Sequence, residues 1–126
     1  MYIDKLSYRL YVEVFKHSLY RYVRVLEEEI KLIKNRDAII FKDKVHRKDF
    51  IKVLLKHIAY EEIDTVDKLV SLVPISKSYI VIDALESFKD YLEISCKGIV
   101  NYTNYEIKNM SLTMINNLID KLDRGK

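Results

Sequence analysis

The chain has 126 residues, with 22 Lys and Arg against 19 Asp and Glu and a formal net charge of +3. Two Gly and one Pro exclude glycine-built phosphate cradles and long loops, and the single cysteine, Cys96, excludes an intramolecular disulfide. About half of the residues are hydrophobic and a third charged, the balance of a folded chain with one domain, an appendage and a core of its own.

Met1-Tyr2-Ile3-Asp4 runs into charged residues, so no signal peptide is expected. No apolar run approaches the roughly 20 residues that span a bilayer. These features predict a cytoplasmic protein without membrane contact. Ten Tyr, no Trp and many Ile and Lys fit an AT-rich genome, that of a virus or of a thermophile such as an archaeon.

The first predicted element is a helix from Ile3 to about Lys34, free of Gly and Pro. Phe15, Leu19, Tyr22, Leu26, Ile30 and Ile33 recur every three or four residues and make one stripe. Val12, Tyr20 and Val23 broaden it. About 45 Å of helix exceeds what a small domain covers, so part of the stripe is expected to meet a second copy. Leu19, Tyr22, Leu26 and Ile30 are the expected homodimer seam. The alternative is packing of the whole helix on its own domain and on the C-terminal helix.

Asn35-Arg36-Asp37 breaks the pattern. Ala38-Ile39-Ile40-Phe41 then reads as a short strand or a buried connector, which periodicity does not separate. His46 or Arg47 to Tyr60 is the next helix, with Phe50, Ile51, Leu54, Leu55 and Ile58 buried. Thr65 to Leu72 is a short helix that Thr65 or Asp64 can cap. Pro74 stops it, because proline lacks an N–H and disfavours helical geometry at Val73. Ser76 is placed to cap a second helix, Ser76 to Tyr91, with Ile80, Ala84, Leu85, Phe88, Tyr91 and Leu92 inward. Glu93 to Val100 alternates and reads as a strand. Asn101 to Asn104 is a polar tip, and Tyr105 to Asn109 a second strand. Ser111 to Leu122 closes the chain as a helix that Ser111 caps.

Helix, turn, helix and hairpin in this order, on "TVDKLVSLVPISKSYIVIDALESF", resemble the winged helix-turn-helix superfamily of MarR-like and PadR-like regulators. The resemblance covers Arg47 to about Asn109. It implies a mainly α fold with a small β-hairpin: a long dimerisation helix (1–36), a winged core (46–109) and a C-terminal helix (110–126). It further implies a dimeric transcriptional regulator bound to double-stranded DNA. Ser76, Lys77, Ser78 and Tyr79 would open the helix that meets the groove. Lys97, Asn101, Tyr102, Asn104 and Lys108 would lie on the wing, and Arg47 and Lys48 would add backbone contacts. Two departures stand out: Val73-Pro74 replaces the turn glycine, and Ile82, Asp83 and Glu86 occupy the outward face where a DNA reader carries Arg, Lys, Asn or Gln.

Charge distribution sharpens the second departure. Met1 to Tyr60 holds 14 Lys and Arg against 8 Asp and Glu, whereas Glu61 to Lys126 holds 8 against 11. The positive field therefore lies before the helix-turn-helix, in residues such as Lys31, Lys34, Arg36, Lys42, Lys44, Lys52 and Lys56. This motivates a rival reading, a protein-contact module using Val81, Ile82, Asp83 and Glu86, and a third, a viral assembly protein. No enzyme, cofactor or metal is expected. His17, His46 and His57 share no metal-ligand spacing with Cys96 or a carboxylate, and Cys96 reads as a structural thiol.

Overall fold

In the computed structural model, residues 2–95 and 102–124 are described, with side-chain surroundings given for 8–94 and 108–124. Five helices follow in order: α1 (Tyr2–Leu32), α2 (Ile39–Tyr60), α3 (Val66–Ser71), α4 (Ser78–Ser95) and α5 (Tyr102–Arg124), with a 3₁₀ turn at Ile75–Lys77 before α4. Among the described residues there is no strand.

Helix α1 is the axis of the bundle, packing against α2, α3, α4 and α5. Phe15, Leu19, Val23 and Leu26 enter the core from α1 and meet Ile51, Leu54 and Ile58 of α2. Leu69 of α3, Ile80, Val81, Ala84 and Leu85 of α4, and Ile115, Leu118 and Leu122 of α5 complete it. Each fully buried aliphatic or aromatic side chain contributes about 1.5–3 kcal/mol relative to exposure. Ser18, also fully buried, donates to the Val14 carbonyl at 2.8 Å, so its hydroxyl costs little.

Leu19 and Leu26 of the α1 stripe are therefore covered inside one chain, while Tyr22, Ile30 and Ile33 are half-buried. Leu19 is 0% and Leu26 1% exposed, so a homodimer seam through them would require opening the core. The length of α1 is used by four neighbours rather than one.

Helices α1 and α2 run antiparallel: Glu29 pairs with Lys44, and two turns earlier on α1 Tyr22 meets Arg47. In the connection, Asn35 Oδ1 accepts from the Asp37 N–H at 3.0 Å, the local turn that Asn favours. The run Ala38–Phe41 is neither strand nor buried connector. Helix α2 starts at Ile39, with Ile39 86% and Ile40 57% exposed.

The helix-turn-helix segment forms as its local chemistry dictates. Thr65 caps α3, its hydroxyl accepting from the Lys68 N–H at 3.0 Å. Leu72 closes α3, and Pro74 is extended at φ −60°, ψ 140°. The chain enters α4 through the 3₁₀ turn, where the Ser78 hydroxyl donates to the Ile75 carbonyl at 2.9 Å. Ser76 makes no capping hydrogen bond there.

The hairpin expected over residues 93–109 is overturned, and the winged architecture with it. Glu93–Ser95 continue α4, and Tyr102–Asn109 are the first two turns of α5. Cys96 to Asn101 lie outside the described residues. Five alternating residues, Tyr105-Glu106-Ile107-Lys108-Asn109, are too few to separate a period of 2 from one of 3.6. The 3.6 period wins because Ser111, Ile115, Leu118 and Leu122 carry it onward with no Gly or Pro between Tyr102 and Arg124. Ser111 consequently sits mid-helix and caps nothing.

Candidate nucleic-acid interface

Of the residues expected to touch DNA, Lys77 and Tyr79 meet α2 at His46 and Arg47, whereas the expected wing residues do not form a wing beside them. Ser78 is buried in its turn. Ser76 and Tyr79 are exposed, and Lys77 is half-buried with its Nζ 2.7 Å from His46 Nε2. A lysine ammonium only donates, so that imidazole nitrogen accepts. Tyr102 and Lys108 belong to α5 rather than to a wing, and Lys97 and Asn101 lie outside the described residues.

Arg47 departs furthest from its expected role. Its side chain is 18% exposed and faces α1 and α4. Nη1 donates to Asp83 Oδ2 at 2.7 Å and to the Tyr22 hydroxyl at 3.0 Å, and Nε donates to Asp43 Oδ2 at 3.0 Å. The guanidinium also lies 5.3 Å from the Tyr79 ring centroid. Burial works against its charge, but Asp83, Tyr22 and Asp43 outweigh that penalty and hold its pKa above the ordinary value. The Tyr22 phenol is pushed up by burial, with Arg47 pulling the other way. Arg47 is thus a structural hub, with its Nε and Nη1 committed to neighbouring side chains.

The outward face of α4 is acidic, with four Asp and Glu against one Lys on the helix. Asp83, Glu86 and Asp90 line a cleft of about 460 Å³ against α1. Arg21 reaches into it, donating to Ser87 Oγ at 2.9 Å with its guanidinium 4.4 Å from the Tyr91 ring centroid. A nucleic-acid backbone approaching this face meets like charge.

The opposite balance holds on α2, with six Lys and Arg against two Asp. Lys44, Lys48, Lys52 and Lys56 are spaced by four residues, so they form one row with about 6 Å between turns. Lys44 is claimed by Glu29 at 2.7 Å. Among the described residues Lys48, Lys52 and Lys56 make no ion pair, and Lys52 and Lys56 are exposed. The end of the row borders a cleft of about 340 Å³ lined by Tyr20, Lys52, Leu55, Lys56, Ala59 and Tyr60. Tyr20 is 53% and Tyr60 88% exposed. Sequence reasoning counted Tyr20 as part of an apolar face and Tyr60 as a helix end. The signal that could have pointed here is the four-residue lysine repeat, which the sequence reading registered only as a basic segment before the helix-turn-helix.

Among the described residues no three His, Cys, Asp or Glu side chains come together to hold a metal ion, and no helix is long and apolar enough to cross a membrane. No family model, curated protein or solved structure matches the chain. The functional reading accordingly rests on the geometry of these faces.

Proposed function

We propose that this protein binds nucleic acid through the basic face of α2, gripping the phosphate backbone with Lys48, Lys52 and Lys56 in a sequence-independent manner. The observation that carries this reading is the row itself. Like charges four residues apart cost a helix about 0.2–0.5 kcal/mol per pair. The fold accepts that cost twice along 48, 52 and 56 with one carboxylate nearby on the helix, Asp49, which forms no ion pair among the described residues. A polyanion relieves the repulsion and releases counterions as it binds. Duplex DNA remains a candidate ligand, met by α2 rather than by the start of α4.

The test is fluorescence anisotropy of a labelled duplex across a salt series. Each Lys→Ala change in the row should weaken binding to all sequences alike and reduce the salt slope by about 0.9. Charge reversal at all three positions should abolish binding. Wild-type affinity in that triple variant, with the fold intact by circular dichroism, would refute the reading.

The acidic cleft on α4 favours a second role beside the first, contact with a basic segment of a partner protein. Glu86 and Asp90 supply the charge, and Tyr91 and Ile94, both exposed, supply apolar area. Titration with an arginine-rich peptide, compared between the wild type and a Glu86→Gln/Asp90→Asn variant, tests it. Equal affinities for the two proteins would exclude the cleft.

A further inference from the structure

We infer that the cleft between Tyr20 and Tyr60 receives an unstacked nucleobase, so that the protein selects single-stranded over duplex nucleic acid. This inference rests on the phosphate grip proposed for α2 and names the form of nucleic acid that the grip serves.

Four tyrosines are engaged by a neighbouring side chain. Tyr11 accepts from Asn117 at 2.7 Å, Tyr22 from Arg47, and the Tyr79 and Tyr91 rings lie against Arg47 and Arg21. Tyr20 and Tyr60 have no such employment: among the described residues neither makes a hydrogen bond, ring stack or cation contact. Both nevertheless line one concavity, from different helices, Tyr20 on α1 and Tyr60 at the end of α2. Aromatic rings left this open lose the burial that ordinarily repays a large apolar side chain.

The rest of the cleft fits the same ligand. Leu55 and Ala59 give it an apolar floor, and Lys52 and Lys56, the last two members of the row, stand beside the rings. A volume of about 340 Å³ lies at the small end of sites that hold small ligands. Arg24, exposed and without an ion pair among the described residues, lies one turn beyond Tyr20 on α1. Lysine charges beside open aromatic faces suit a strand whose phosphates and base planes are both accessible. In a duplex the base planes are covered by their neighbours, so only the lysines would be used. An acidic peptide would satisfy the lysines and leave the rings idle, which is why the nucleic acid is the better occupant.

The experiment compares the full chain on a labelled oligothymidine and on a duplex of equal length, by anisotropy at one salt concentration. The expectation is tighter binding of oligothymidine. Tyr20→Ala/Tyr60→Ala should weaken it by roughly 5- to 150-fold, from the 1–3 kcal/mol that one stacked base contributes, and leave duplex affinity within about twofold. Tyr20→Phe/Tyr60→Phe should keep oligothymidine binding, since the ring and not the hydroxyl does the stacking. Both tyrosines are at the surface, so the variants should fold, which circular dichroism checks. An oligonucleotide carrying photoreactive iodouracil should crosslink to Tyr20 or Tyr60. Unchanged oligothymidine binding in the alanine variant, with binding lost in Lys52→Glu/Lys56→Glu, overturns this inference alone. Unchanged binding of both nucleic acids in the lysine variant overturns the phosphate grip and the inference with it. Competition by polyglutamate as effective as by unlabelled oligothymidine would also overturn the inference, because carboxylates need the charges and not the rings.

Discussion

Replacing Arg47 with Met separates a structural arginine from a ligand-binding one. Methionine keeps most of the unbranched stem that packs between α1 and α4 and removes the guanidinium. Three hydrogen bonds are lost, to Asp83 at 2.7 Å, Tyr22 at 3.0 Å and Asp43 at 3.0 Å, together with the contact on the Tyr79 ring. Hydrogen bonds to charged groups reach about 1.5–3 kcal/mol when shielded. The Asp83 and Asp43 side chains are 45% and 47% exposed, which brings each pair down to about 0.5–1 kcal/mol. The half-buried Tyr22 hydroxyl, left without its donor, adds about 1 kcal/mol. The total is a loss of about 2–3 kcal/mol, or a fall in Tm of roughly 6–15 °C for a chain of this size. Urea unfolding followed by circular dichroism measures it, and a cycle with Asp83→Asn should return a coupling of about 0.5–1 kcal/mol. Wild-type stability in Arg47→Met together with lost nucleic-acid binding would refute the reasoning, since it would place the guanidinium toward a ligand.

The other predictions concern the core, a cap and a titration. Leu26→Glu puts a carboxylate at a site 1% exposed and should cost more than about 4 kcal/mol, leaving the chain largely unfolded; a folded monomer by sedimentation would instead support an intermolecular seam. Thr65→Ala removes the acceptor for the Lys68 N–H and should cost about 1 kcal/mol in urea unfolding, with no change meaning that α3 holds without its cap. The Tyr22 phenol titrates above its ordinary 10.0, chiefly through burial. The folded state therefore keeps this proton over a window in which the unfolded chain has lost it. The associated stability is complete below about pH 10 and falls as pH rises toward the folded value. Tyr22→Phe should flatten that part of the stability curve, and an unchanged slope would place the phenol in solvent.

What was legible in the sequence followed from strong local chemistry. The absence of Gly and Pro marked α1, and Thr65 and Pro74 bounded the short helix and its turn. Two errors came from short runs. Ala38–Phe41 looked too apolar for a helix start facing solvent, yet Ile39 and Ile40 are largely exposed. Tyr105–Asn109 alternated by chance within a longer helical repeat. That Leu19 and Leu26 pack inside one chain was not legible, because a stripe on one helix reveals its width and not the number of its neighbours. Arg47 was misplaced for a different reason. Its partner Asp83 lies 36 residues away, and no local pattern announces such a pairing. The candidate interface was half visible: the lysine repeat is local, whereas Tyr20 and Tyr60 share a cleft only once α1 and α2 lie antiparallel.

The two charged faces also explain why Arg47 is set apart from the other cations of α2. Helix α2 carries the positive excess and α4 the negative one, with α1 packed against both. Among the described residues, Arg47–Asp83 is the one ion pair linking α2 to α4. It satisfies one α4 carboxylate and engages one α2 cation, leaving Lys48, Lys52 and Lys56 as the cations proposed to meet phosphate. This arrangement makes Arg47 and Lys48, adjacent in sequence, respond oppositely to mutation. Loss of Arg47 lowers the folded fraction and therefore the apparent binding, with affinity per folded molecule unchanged. Loss of Lys48 leaves the folded fraction alone and lowers affinity and salt slope directly. A binding assay normalised to the folded fraction distinguishes the two, and equal behaviour of the two variants would mean that both side chains serve the same surface.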